Sequence, residues 1–149
     1  MPLLHDPETR ASLKRRLAAL TADARRQWGT MSIDQMLHHV NHALNGALGR
    51  EPATLEIPVP LPAWLGKPIV LYLPWPKGSP TAREWISTGE RYDFETEKEL
   101  ALKLIDEVAA VPIGADTWPR HNLFGDVGGD YWSRVNAKHL DHHLRQFGA

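Results

Sequence analysis

Apolar positions recur three and four residues apart in four stretches of the chain, and this spacing predicts four principal helices. Leu13, Leu17 and Leu20 mark the first, which opens near Asp6 or Thr9 with Pro7 in its first turn. Lys14, Arg15 and Arg16 lie between those leucines as a solvated face. A turn, with the option of a second helical piece, runs from Ala22 to Trp28, and Gly29 breaks it. The second helix has the clearest start, because Ser32 and Gln35 form a capping box in front of an apolar pattern. Ile33, Met36, Leu37, Val40, Ala43, Leu44, Ala47 and Leu48 make one stripe that Gly49 stops, so helix is expected from about Ser32 to Leu48. The third helix, from about Glu95 to Val111, takes its cap from Asp93 or from Thr96 boxed with Glu99. It buries Ala101, Leu104, Ile105 and Val108 before Pro112 and Gly114 end it. The last helix runs from about Asp130 to Gly148.

Between the second and third helices, residues 52–80 hold eight of the twelve prolines, a density that no long regular helix survives. The piece LPAWLGKPIVLYLP reads as a broken helix or a buried extended segment, and PWPKGSP as a loop. Trp64, Tyr72, Trp75 and Trp85 bring large surfaces to this region. Covering one end of the core is the favoured use for them, and walling a pocket is the other. The pattern as a whole is all-α: a four-helix bundle in one domain over residues 1–149, with a proline-rich excursion.

Composition narrows the function. Seventeen Lys and Arg against eighteen Asp and Glu leave a formal charge of −1, so there is no basic footprint for nucleic acid and no acidic tail. No cysteine is present, which removes disulfides, thiolate ligands and a cysteine nucleophile. The N-terminal MPLLHDPETR lacks an apolar core of signal-peptide length, and the apolar run Ile69–Leu73 is too short to span a bilayer. The expected setting is cytoplasmic.

Eight histidines are the unusual feature, and six fall in two helical clusters: LHHVNH, with His38, His39 and His42, and KHLDHH, with His139, His142 and His143. Each residue turns a helix by about 100°. With Val40 at the centre of the apolar stripe, His39 falls at its edge, while His38 and His42 lie roughly 160° away and are expected to face solvent. In the last helix Trp132, Leu140, Leu144 and Phe147 define the apolar direction. His139 and His143 flank it, in line with Trp132, Val135 and Gln146, and i, i+4 spacing places both on one face. His142 is rotated toward the polar side as the next candidate, and Asp141 is expected to pair with Arg145. The geometry therefore selects His39, His139 and His143 as one metal site, against the commoner fate of helix histidines as surface or core hydrogen-bonding residues.

QWGTMSIDQMLHHVNHALNGALG and HNLFGDVGGDYWSRVNAKHLDHHLRQFG resemble segments of the DinB-like (YfiT-like) metalloenzyme superfamily. More narrowly they resemble a branch that ends in KHLDHHLRQFG. The resemblance rests on about the first fifty and last thirty residues. It implies a four-helix bundle of up-down-down-up topology and a metal held by one histidine of the second helix and an H-x-x-x-H pair of the last, here His39, His139 and His143. It also implies a role near the metal for Gln146, three positions after the last ligand. The branch commonly opens its last helix with Ser or Thr and Pro, where this chain has Gly128 and Gly129, so a looser start is expected.

Superfamily activities include thiol-dependent S-transfer, a maleylpyruvate isomerisation that uses a small thiol, and metal-dependent hydrolysis. The resemblance therefore implies a metal-dependent transferase or hydrolase acting on a small molecule. Imidazole ligands favour zinc or nickel, with manganese or iron as further options. Any low-molecular-weight thiol must be external, because the chain has no cysteine. The contrasting expectation is a metal-binding or stress-response bundle without catalysis that serves a partner or forms a homodimer. Trp132 is a candidate pocket wall with core packing as its commoner fate, and His121 a candidate proton shuttle with a loop hydrogen bond as its favoured use.

Overall fold

The computed structural model describes residues 2–51, 61–77, 88–121 and 123–149. It is all-helical, with α1 Pro7–Ala18, α2 Ile33–Ala47, α3 Ala63–Tyr72, α4 Phe94–Ala110 and α5 Gly128–Gln146. Among the described residues there is no strand, and one isolated antiparallel bridge joins His121 to Gly125. Trp85 and part of the PWPKGSP loop lie outside those residues.

Local chemistry accounts for the helix starts. The Asp6 side chain accepts from Thr9 N at 2.8 Å with Pro7 behind it. At α2, Gln35 Oε1 accepts the Ser32 N–H at 2.9 Å. Asp93, not Thr96, caps α4 by accepting the Thr96 N–H at 2.9 Å. Residues 22–28 form turns and bends, not a helical piece. The first turn of α5 comes two residues earlier than expected, at Gly128. Gly129 is a packing requirement, since a Cβ there would collide with the Trp118 indole and the Ile113 carbonyl, while Gly128 has open space around it and serves through its φ of +71°.

The core joins Leu13 and Leu17 of α1, Met36, Leu37, Val40 and Leu44 of α2, Leu104, Ile105 and Val108 of α4, and Leu140 and Leu144 of α5. Burying each such side chain contributes about 1.5–3 kcal/mol. α2 packs on α4 and α5, and α1 packs on the same two helices. α3 rests on α5. α2 is covered on more than its apolar stripe: Asp34 is buried and accepts from Arg91 Nε, Arg91 Nη2 and the Tyr92 N–H at 2.9, 3.1 and 2.9 Å. Burial pushes the Asp34 carboxyl upward, but hydrogen bonds from Arg91, Ser32 and the Tyr92 amide outweigh it and hold the group far below the usual carboxylate range.

The segment LPAWLGKPIVLYLP takes the helical one of its two expected forms, whereas its large side chains depart from expectation. Part of it is helical despite Pro68, whose missing N–H costs α3 an internal hydrogen bond. Trp64 is 76% exposed, and Tyr72 and Leu73 are also exposed, so these side chains do not cover an end of the core. Lys138 of α5 holds α3 in place: its Nζ donates to the carbonyls of Val70, Leu71 and Leu73 at 2.7, 3.0 and 2.5 Å. A cation at the C-terminal end of a helix answers both the unpaired carbonyls and the helix dipole.

Candidate metal centre

Three imidazoles from two helices converge. His39, 5% exposed, points from α2 toward α5, where His139 and His143 stand one turn apart. His39 Nε2 lies 2.9 Å from His139 Nε2, and His143 Nε2 lies 3.0 Å from the same atom. One nitrogen from each ring falls within 4.8 Å of the others. The rings meet edge-on rather than stacked, with interplanar angles of 75°, 73° and 83°. The nitrogens therefore face a common point, and the three histidines can hold a metal ion.

Gln146 determines how His143 presents itself. Its Nε2 donates to the Trp28 carbonyl at 3.0 Å, and a carbonyl only accepts. The amide is thereby oriented with Oε1 toward His143 Nδ1, 2.8 Å away. Nδ1 must then carry the proton, which leaves Nε2 as a bare lone pair aimed at the other two rings. Imidazole ligands of metals use this arrangement, with the outer nitrogen donating to a fixed acceptor. The backbone reinforces it, because the Gln27 N–H donates to the Gln146 carbonyl at 2.6 Å. Gly29 makes room for the contact: its φ is +80°, and a Cβ there would lie 2.6 Å from Gln146 Nε2.

The surroundings keep His139 and His143 neutral. Burial pushes His143 down to about 3, helped by the neighbouring His39. Burial first, then His143 and His39, holds His139 well below the usual histidine range. A neutral imidazole is the form that coordinates a cation.

Aromatic side chains frame the outer edge. The Trp75 ring centroid lies 5.8 Å from that of His139 and 5.7 Å from that of His142. Trp28 meets His142 edge-on at 5.8 Å. Lys77 lies over the Trp28 ring at 5.1 Å, and Lys138 over Trp75 at 5.2 Å. His142 is thus half-buried between two indoles instead of lying on the surface. Of the described tryptophans in the proline-rich stretch, Trp75 is the one beside the histidines, fastened by its Nε1–H to the Val70 carbonyl at 2.8 Å.

Other candidates lie elsewhere. Trp132 joins the core and donates Nε1–H to the Pro119 carbonyl at 2.9 Å. His121 stacks on Phe124 and meets Tyr131 and Trp132, while its Nδ1 accepts the Leu123 N–H at 3.2 Å. Burial, with Lys67 adding, pushes His121 down to about 4. Asp141 pairs with Arg145 as expected and also with Arg16, at 3.0 and 2.8 Å. Arg16 therefore belongs to an ion-pair network, and Lys14 likewise pairs with Asp106, so only Arg15 of that basic run is an exposed face. His38 and His42 are half-buried, contrary to the solvent face expected of them. The reason is that α4 and residues 90–92 pack on that side of α2.

The helical wheel did not single out the Trp28 carbonyl, Gly29 or Trp75 as neighbours of the histidines. The Trp-Gly dipeptide was visible in the sequence, but its use depends on where the turn meets α5.

No family model, no curated protein and no solved structure matches the chain. No helix of the described residues is long and apolar enough to cross a membrane.

Proposed function

We propose that the protein is a metal-dependent enzyme of hydrolase or thiol-transferase type, with His39, His139 and His143 as the ligands of a divalent ion. The observation that carries this reading is the convergence of three Nε2 atoms, one of them fixed in the ligand tautomer by Gln146. Metal–nitrogen bonds of about 2.0–2.1 Å separate neighbouring ligand nitrogens by about 3.0–3.4 Å. The observed 2.9 and 3.0 Å lie close to that range, and all three nitrogens fall within 4.8 Å of one another. Nitrogen donors without thiolate or carboxylate favour zinc or nickel, and manganese or iron remain usable. Three protein ligands leave coordination positions for water or a small thiol. When bound, such an ion lowers the pKa of a coordinated water or thiol toward neutrality.

The residues of the chain would supply the rest. Gln146 holds His143 in register, and the packing of α2 against α5 holds His39 opposite the other two. Trp75 and Trp28 provide apolar surface for a small-molecule substrate beside the histidines. The thiol, if one is used, is a separate low-molecular-weight compound, since the chain has no cysteine. We read the helices as a DinB-like bundle of up-down-down-up topology. Support comes from the closed cycle of packing, α1 on α4, α4 on α2, α2 on α5 and α5 on α1, with α3 outside it.

Metal analysis of the purified protein tests the reading. Near-stoichiometric divalent metal in the wild type, lost in His143→Ala, is the expected outcome. Full occupancy in that variant refutes the ligand assignment. The exposed apolar face of α3 favours a second reading, a bundle that binds a partner or its own copy around a structural ion. That reading predicts a large drop in melting temperature on chelation, together with a coordination sphere closed to water.

A further inference from the structure

On the side of α2 turned away from the three-histidine cluster, His38 and His42 stand one turn apart with Nε2 atoms 2.8 Å apart and rings perpendicular. Each Nδ1 faces a carboxylate: His38 lies 3.1 Å from Glu97 Oε1, and His42 contacts Glu51 Oε2. An ionised carboxylate only accepts, so both Nδ1 atoms carry protons and both Nε2 atoms turn toward each other. Two lone pairs at that distance repel unless a cation, a proton or a metal, lies between them.

The support around the pair is built. Glu97 is itself held by Asn41 Nδ2 at 2.7 Å, and the His38 ring lies flat on Tyr92 with centroids 3.7 Å apart. Glu90 adds a third negative charge near His38. The two histidine side chains remain 31% and 26% exposed, so a solvent ion can arrive with its own waters.

We propose that His38 and His42 form a second metal site, separate from His39, His139 and His143, for a late first-row divalent cation such as Ni²⁺, Cu²⁺ or Zn²⁺. The pair supplies two imidazole nitrogens from adjacent helical turns. Glu97 and Glu51 act as positioning residues through the outer nitrogens, the role that carboxylates take behind metal-bound histidines. Imidazole pairs of this kind prefer late transition metals over magnesium or calcium.

Calorimetric titration of the metal-stripped full chain with Ni²⁺ tests the assignment. The wild type is expected to bind two equivalents, and His42→Gln one. Glu51→Gln, which changes a partly exposed residue after α2 and leaves both rings in place, is expected to weaken the second equivalent about 10–100-fold. Melting temperature in chelator checks that each variant is folded, and His38→Gln replaces His42→Gln if the latter is not. One equivalent in the wild type, retained in His42→Gln and lost in His143→Ala, overturns the second site. One equivalent lost in His42→Gln and retained in His143→Ala supports it and removes the three-histidine reading instead. Stoichiometry and affinity unmoved by both His42→Gln and Glu51→Gln also overturn it.

Discussion

Gln146 offers the sharpest separation between a residue that merely packs and one that prepares a ligand. It is 3% exposed and makes two hydrogen bonds, accepting from His143 Nδ1 and donating to the Trp28 carbonyl. Replacing it by Leu keeps the bulk but leaves the buried His143 N–H and the half-buried Trp28 carbonyl without their partners. A fully buried orphan costs about 1–3 kcal/mol and the half-buried Trp28 carbonyl only about 1 kcal/mol, so the metal-free protein should lose about 2–4 kcal/mol in urea unfolding. Metal affinity should fall about 10–100-fold, because nothing then holds His143 in the tautomer that directs Nε2 inward. That loss equals about 1.4–2.7 kcal/mol. Gln146→Glu separates the two effects. Its carboxylate still accepts from His143 but meets the Trp28 carbonyl with like charge, so stability falls while affinity for Ni²⁺ stays at or above that of the wild type. The assay is competition against a chromophoric chelator, with denaturation run in parallel on the metal-free protein. Gln146→Leu binding Ni²⁺ within twofold of the wild type would refute the tautomer argument, as would equal weakening by Leu and Glu.

Gly29→Ala should cost about 1–3 kcal/mol, because its φ of +80° disfavours a side chain and the new Cβ would press on Gln146 Nε2. Metal affinity should fall with it, and retention of both stability and affinity in the same chelator assay would contradict the close approach. Asp34→Ala should lose about 1.5–3 kcal/mol in urea unfolding, through its charge-assisted bonds to Arg91 and Tyr92; a loss below about 0.5 kcal/mol would show that water replaces those bonds. His121 carries a pH signature: the unfolded chain takes up its proton near 6.5 but the folded protein only near 4. Its contribution to stability is therefore complete above pH 6.5 and is lost as pH falls toward 4, about 3 kcal/mol in total. His121→Phe should flatten the urea midpoint between pH 7 and pH 4 by that amount, and an unchanged slope would assign the acid sensitivity to other groups.

The helices were legible where local chemistry decides them. Ser32 with Gln35 starts α2 and Gly49 ends it, and the apolar stripe from Ile33 to Ala47 faces the core, because capping and the 3.6-residue period act within a few residues. The same period separates His39 from His38 and His42, and it places His139 and His143 on one flank of α5. Facts that depend on which segments meet could not be read that way. The turn at Trp28 and Gly29 reaches Gln146 across 118 positions of sequence, and Glu97 reaches His38 across 59. Lys138, far along the chain, binds the carbonyls of Val70, Leu71 and Leu73 at the C-terminal end of α3. Periodicity says which way a side chain leaves its own helix. Only the packed structure decides what it meets there, because a hydrogen bond or a shared cation depends on distances between separate segments that no local pattern encodes.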